Sequence, residues 1–338
     1  MATAPAEIAT PTKATRPTKA TRHTETATPT ETMGLLRDLE PVVEANLDRH
    51  LTTAKEWIPH EYVPWSLGSD YDGILGGTAW QPDQSKLSDV ARTSLIVNLL
   101  TEDNLPSYHY AIASIYGRDG AWGTWVHRWT AEEGRHAIAI RDYLLTTRAV
   151  DPVALERARM VHMSTGFDSD HTGIISTIAY VSFQELATRV SHRNTGTISD
   201  DPVCDQLLAR IAQDENLHMV FYRNLLSATF DLAPDATMCA VRDVVMSFQM
   251  PGHSIENFTR KSAQIAMAGI YDLRIHHDEV LYPILRHLRV FDREDLTAPG
   301  DQARTELAAF LATLDRSANR FTERREARRA AGRVGQRG

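Results

Sequence analysis

Two stretches of this chain set a glutamate and a histidine three residues apart inside apolar helical patterns, and that doubling limits the folds open to it. In WTAEEGRHAIAIRDYL, residues 129–144, Glu133 and His136 stand one turn apart and about 60° out of line on an α-helix, so their tips can converge. Trp129, Ile138, Ile140, Leu144 and Leu145 flank them, and Trp125, Ala137 and Ala139 spread apolar surface over most of the circumference. Such a helix is expected to be mostly buried. A buried carboxylate without a partner is costly, so these acids need a cation, a hydrogen-bond network or a metal. One copy alone is also what an intrahelical pair of Glu132 with Arg135 or His136 produces. In IAQDENLHMVFYRNLL, residues 211–226, Glu215 and His218 repeat the spacing, and in both copies an acid, Glu132 or Asp214, precedes the spaced glutamate. A two-metal site needs two more carboxylates from two more helices.

Candidates for those acids stand in two other apolar runs. NLLTEDNLPSYHYAIASIY sets Glu102 among Leu99, Leu100, Leu105, Ala111 and Ile115. Pro106, four residues on, cannot donate to the carbonyl of Glu102, so a kink and a free backbone oxygen are expected; a plain packing kink is the alternative. STIAYVSFQELATRVSHRNTG sets Glu185 among Ile178, Val181, Phe183, Leu186 and Val190, where it could equally pair with Arg189.

The rest of the chain reads as helical. Asp151-Pro152 and Asp201-Pro202 join a good cap to a proline that a first turn tolerates, Ala233-Pro234 offers the same proline, and Ser88 or Asp89 caps another helix. Helices are expected near 41–52, 88–115, 121–148, 152–165, 172–194, 202–231, 235–249, 255–268, 275–289 and 302–325. The fold class is all-α, with only the run from Ile174 to Phe183 ambiguous by propensity. A length of 338 residues with 42% hydrophobic content supports one large domain or two modest ones, and a net charge of −8 argues against a general nucleic-acid binder. Cys204 and Cys239, without CxxC spacing, imply a reducing compartment and buried thiols rather than a disulfide framework or a thiolate metal cluster. No apolar run approaches the roughly 18 residues of a membrane span, so a soluble protein is expected. Residues 1–32, rich in Thr, Ala and Pro with the near-repeat TKATRPTKATR, read as a disordered tail. They also resemble a transit peptide, against which Glu7, Glu25 and Glu31 count. The Arg- and Ala-rich segment 322–338 reads as a frayed helical tail.

TEDNLP, WTAEEGRH, SFQELATRVSHRNTG and DENLH, in this order, closely resemble the soluble acyl-acyl-carrier-protein (acyl-ACP) desaturases, di-iron enzymes that introduce double bonds into fatty acids. KEWIPHEYVP, MPGHSIENF and AGIYDLRIHHDEV resemble the actinobacterial form, and the likeness runs from about Leu35 to Arg320. It implies a ferritin-like di-iron four-helix bundle extended by additional helices, as a single domain over 33–321. Glu102, Glu133, His136, Glu185, Glu215 and His218 are then the ligands of two iron ions, with manganese as a substitute. The mixed oxygen and nitrogen donor set suits either metal.

The resemblance carries further expectations. Glu132 and Asp214 would accept hydrogen bonds from the ligand histidines. Thr188 matches a family threonine associated with oxygen activation, Trp57 an aromatic associated with electron delivery, and Trp129 lies one turn before Glu133. An acyl tunnel would run beside Ala111, Ser114, Ile115, Thr177 and Phe258, with Thr177 where plant enzymes acting on stearoyl chains typically have glycine; core packing is the alternative for each. The partners implied are acyl-ACP, O2, a ferredoxin and a second copy of the chain. The carrier is acidic, so Lys55, Arg260 and Lys261 are candidate docking residues, with Arg316 and Arg320 behind them. The expected location is the bacterial cytoplasm, or the plastid stroma if the N-terminal tail is a transit peptide. An inactive or hydroxylating relative, an iron store, and a radical-generating subunit using Tyr180 or Tyr222 are the alternatives.

Overall fold

The computed structural model describes residues 29–167, 171–252 and 254–335, so of the tail expected over 1–32 only 29–32 are described, and these are helical; 1–28 and 336–338 lie outside the described residues. The helices are α1 (Pro29–Thr53), α2 (Asp89–Asp103), α3 (Leu105–Tyr116), α4 (Gly120–Thr146), α5 (Pro152–Thr165), α6 (Ile174–Ser199), α7 (Pro202–Leu232), α8 (Pro234–Ser247) and α9 (Phe258–Ala268). There follow α10 (Leu273–Ile275), a π-helical turn (His276–Leu281), α11 (Tyr282–His287) and α12 (Ala298–Gly335). Among the described residues there is no β-strand, only an isolated bridge between Tyr71 and Thr78. The all-α expectation holds.

Four helices close a ring, with α2 packed on α4 and α6, and α7 packed on the same two. The chain enforces part of this locally. Asp200 adopts a left-handed conformation (φ 55°) at the end of α6, and Asp201 then accepts the backbone N–H groups of Val203 and Cys204 while Pro202 opens α7. So short a reversal makes α6 and α7 antiparallel neighbours. Asp151 caps α5 in the same way, and Ser88 caps α2 through the N–H of Ala91.

Each ring helix turns one stripe inward. On α7 the stripe runs Leu207, Leu208, Ile211, Tyr222, Leu225 and Leu226, all fully buried, and Glu215 and His218 occupy its middle. On α4 it runs Trp122, Trp125, Val126 and Trp129, then Ile140, Tyr143 and Leu144, with Glu133 and His136 between them. The polar residues thus replace apolar ones at mid-helix and are walled in above and below. Trp125 stacks on Phe221 with ring centroids 3.5 Å apart, tying α4 to α7 one turn away.

The structure departs from the sequence pattern at several ends. The helix expected over 88–115 breaks at Asn104, because Pro106 fits the first turn of a new helix, α3, where its missing N–H is not needed. The N–H of Asn104 turns back to Thr101 O at 3.4 Å and closes the last turn of α2. Helix α1 begins at Pro29 rather than 41 and carries Pro41 on its exposed side, anchored by the buried Leu39, Val43 and Leu47. At the other end α12 continues to Gly335, held by an ion pair of Arg325 with Asp272 and by Arg329, whose guanidinium donates to the carbonyls of Met267 and Ala268. Helix α4 is open along one line, where Ile138 is 53% exposed. Cys204 is buried, Cys239 is half-buried, and they form no disulfide.

The π-helical turn places His276 beneath Phe248, with ring centroids 4.9 Å apart, and its Nδ1 accepts the Tyr271 hydroxyl at 2.8 Å. Burial, aided by the charge of His277, pulls its pKa down to about 4. The folded pKa lies below the unfolded one, so this contribution to stability is complete above about pH 6.5 and is lost as pH falls through 4. The loss should approach roughly 3 kcal/mol. Urea unfolding of wild type and His276→Phe at a series of pH values checks this: the variant should show the shallower acid limb, and parallel limbs would mean that His276 titrates normally.

Candidate metal centre

The six predicted ligands meet at the centre of the ring. They form two overlapping clusters, Glu102, Glu133, His136 and Glu215 in one, and Glu133, Glu185, Glu215 and His218 in the other. Within each, the candidate ligand atoms lie within 4.8 Å of one another and every residue is buried. Glu133 and Glu215 belong to both, so they stand between two cation positions while Glu102 with His136 and Glu185 with His218 stand at the ends. Nδ1 of His136 is 3.3 Å from Glu133 Oε2, 3.5 Å from Glu215 Oε1 and 3.7 Å from Glu102 Oε2. Nδ1 of His218 is 2.8 Å from Glu133 Oε1 and 3.7 Å from Glu185 Oε2.

These atoms approach one another without making hydrogen bonds. Glu133 Oε1, Glu185 Oε2, both oxygens of Glu215, and Nδ1 of His136 and His218 are all buried and all lack a hydrogen-bond partner. Folded proteins leave few such atoms. Six of them converging on one point fit a pair of cations, and carboxylate with imidazole suits iron or manganese.

The flanking acids brace the opposite helix. Glu132, on α4, accepts Nε2–H of His218, on α7, at 2.9 Å, and Asp214, on α7, faces Nε2 of His136, on α4, at 3.5 Å. Each ring is thereby turned so that Nδ1 looks inward. Glu132 also accepts His50 Nε2 at 2.9 Å and Arg128 Nε at 2.6 Å. Asp214 accepts Trp57 Nε1 at 2.7 Å and Arg135 at 3.1 Å, and pairs with Arg210. Each outer carboxylate is likewise held by one ring N–H. Trp129 Nε1 donates to Glu185 at 3.1 Å, and His192 Nε2 lies 3.0 Å from Glu102.

His50 and His192 were not legible as site residues. His192 follows Glu185 by seven residues on the same face of α6, a spacing that could have flagged it. His50 contacts Glu132 from 82 residues away and carried no signal.

Charge explains the protonation of the protein alone. Burial would raise the carboxyl of Glu132, but hydrogen bonds from His218 and His50 hold it far below the usual range, and Asp214, likewise bonded to His136, is held at about 2. Glu133 is depressed by the charge of His136 against the same burial. Glu215 is pushed up by burial and by the charges of Glu133 and Glu185. Burial would lower His136 and His218, yet the surrounding carboxylates raise both.

A cleft runs along one side, with Glu102, Glu133 and Trp129 in its wall. Ala111, Ile115 and Thr177, three of the five residues expected beside an acyl tunnel, line it together with Thr188, Ile112 and Phe167. Ser114 and Phe258 do not. Helix α3 turns Tyr108, Ala111, Ile112 and Ile115 inward, leaving Ser114 exposed to the side, where its hydroxyl donates to Tyr110 O. Phe258 packs instead against the separate apolar cluster of Val97, Leu100, Ile255, Ile265 and Ile270. The Thr188 hydroxyl donates to Glu185 O at 2.9 Å. Lys55 and Arg260 are exposed, whereas Lys261 is half-buried and its ammonium donates to Glu256 O at 2.7 Å.

Fold and site together define a ferritin-like helical bundle with a buried carboxylate–histidine cluster able to bind metal. The chain belongs to the fatty acid desaturase family, whose pattern matches residues 31–334. It is 53% identical over 295 residues to DesA1 of Mycobacterium tuberculosis, a protein named as an acyl-ACP desaturase, covering 85% of this chain and 87% of that one. A stearoyl-ACP 9-desaturase of spinach is 27% identical over 313 residues, covering 86% and 77%. The X-ray structure of DesA2 from M. tuberculosis superposes with a TM-score of 0.65 at 33% identity, over 76% of this chain and 95% of that one. No helix among the described residues is long and apolar enough to cross a membrane.

Because the surrounding carboxylates raise both imidazoles and a ligand nitrogen must be deprotonated, metal loading should release protons, and affinity should rise with pH. Calorimetric loading with Mn2+ in buffers of different ionisation enthalpy measures both. Tighter binding at pH 8 than at pH 6.5, with proton release, is expected. Glu133→Ala, lacking the carboxylate common to both clusters, should bind fewer ions. Proton-neutral, pH-independent loading would exclude the histidines as ligands.

Proposed function

We propose that this desaturase inserts a cis double bond into a saturated acyl chain carried on acyl carrier protein, using O2, two electrons from a ferredoxin and two protons, and releasing two waters. The observation that carries this reading is the pair of clusters sharing Glu133 and Glu215 beside an apolar cleft. The names of the relatives support the carrier-bound substrate. Two iron ions held by Glu102, Glu133, His136, Glu185, Glu215 and His218 would supply the redox chemistry that couples O2 reduction to removal of two hydrogens.

The chain's own residues do the rest. Ala111, Ile112 and Ile115 lay a methylene chain alongside Glu102 and Glu133 and exclude water from the reacting carbons. Glu132 and Asp214 hold the ligand rings against rotation. Thr188 places a hydroxyl oxygen in the cleft wall, with its own proton given to the helix backbone. Trp57, buried, bonded to Asp214 and lying 4.9 Å below the Arg135 guanidinium, is the aromatic through which electrons reach the centre. The acidic carrier docks through Lys55 and Arg260, and Lys261, already bonded, contributes less. A second copy covers the exposed apolar side chains Ile138 of α4 and Met160 and Val161 of α5. The bacterial relatives support a cytoplasmic setting.

Reaction of purified protein with a series of saturated acyl-ACPs, a ferredoxin with its reductase and O2, with products resolved by mass spectrometry, tests the reading. A mono-unsaturated product is expected; a hydroxylated product, or none across the series, contradicts it. In the same assay Thr177→Gly should shift preference toward longer chains by about 10- to 200-fold, the range that one or two heavy atoms in a pocket supply. An unchanged length profile removes Thr177 from the tunnel. Charge reversal at Lys55 or Arg260 should raise KM at low salt with kcat unchanged, and a KM equal to wild type places docking elsewhere.

A further inference from the structure

A polar seam joins α2 to α6 beside the metal centre. The hydroxyls of Ser94 and Thr195 lie 2.8 Å apart, and one turn along, Ser191 donates to Asn98 Oδ1 at 3.3 Å. The Glu102 carboxylate 3.0 Å from His192 Nε2 can only accept, so the proton between them sits on Nε2, and Nδ1 accepts from the Asn98 amide nitrogen 3.3 Å away. That orientation leaves the Asn98 oxygen to accept from Ser191. Nε2 lies 3.0 Å from Glu102 Oε1 and 3.6 Å from Glu215 Oε1, and the residue is 1% exposed.

We propose that His192 is a positioning residue whose Nε2–H holds Glu102 Oε1, leaving Oε2 aimed at the metal position that Glu102 shares with His136. The inference rests on the dinuclear reading above. The opposite end is built differently, because Glu185 receives its N–H from Trp129, an indole that only donates and has no seam behind it. His192 instead passes on an orientation set by Asn98 and Ser191, and it spans an outer and a shared carboxylate. The two metal positions are thereby inequivalent. Loss of the donor at His192 frees Glu102 to rotate and weakens the first position, whereas loss of the indole donor at Trp129 weakens the second.

Anaerobic calorimetric titration with Co2+ alone, on the full chain, separates these effects. Wild type should bind two ions. In His192→Phe, which keeps a ring and removes the donor, one ion should retain its affinity and the other should weaken by about 10- to 100-fold, the usual effect of losing such a partner. His192→Gln, whose amide N–H reaches the same oxygen, should restore most of that loss. Trp129→Phe should weaken one ion, and combining it with His192→Phe should weaken both. Circular dichroism checks folding, and His192→Leu replaces the phenylalanine variant if the larger ring does not pack. Two wild-type affinities in the donor-free variant, or a glutamine variant as weak as it, would overturn the assignment. A wild type that binds no pair of ions would instead overturn the dinuclear reading, and this inference with it.

Discussion

Four carboxylates share the interior of one helical bundle, and the rest of the structure answers to that constraint. At a separation near 4 Å, two such charges repel by about 4 kcal/mol even at the effective dielectric of a protein surface. Glu133 and Glu215 each face that repulsion from more than one side. Burial and that repulsion raise Glu215 in the protein alone, the carboxylates raise both imidazoles against burial, and two cations would relieve the repulsion with the unpartnered oxygens and nitrogens already pointing inward. The site is therefore a demand for positive charge created by where the helices put their acids.

Meeting that demand takes more than ligands. A converging set that lost its aim would collapse into ordinary ion pairs, and the bundle prevents this with partners from outside the four ring helices. His50 of α1 shares Glu132 with His218, and Trp57, in the segment after α1, shares Asp214 with His136. The N-terminal helix thus belongs to the metal centre although it bears no ligand, and its buried Leu39, Val43 and Leu47 fix it there. Apolar packing above and below, with Trp125 on Phe221 as its tightest contact, keeps water away from the centre and leaves the cleft along α3 as the side where a hydrocarbon fits.

Sequence reasoning reached the parts of this that are local. Glu133 with His136 and Glu215 with His218 are legible because helical spacing alone brings their tips together, and Asp151, Asp201 and Ser88 because a cap acts on the next three residues. Glu102 and Glu185 stood out only as acids in apolar runs, which no spacing joins to the others, and family resemblance made them ligands. What stayed hidden depends on distant contacts. The helix expected from 41 begins at Pro29, because the burial of Leu39 and Val43 carries it through Pro41. Ser114 shares α3 with Ala111 and Ile115 and Phe258 opens α9, but which face of either helix meets the cleft is decided by packing. His50 and His192 act on partners 82 and 90 residues away, a relation that no local pattern encodes.

The account stands on two cations lying between Glu133 and Glu215. A crystal structure of the iron-loaded protein, with anomalous differences recorded above and below the iron edge, tests that directly. Two peaks about 3.5–4 Å apart are predicted, both flanked by Glu133 and Glu215, one beside Glu102 and His136 and the other beside Glu185 and His218. A single peak, or iron bound elsewhere in the fully loaded protein, would contradict it.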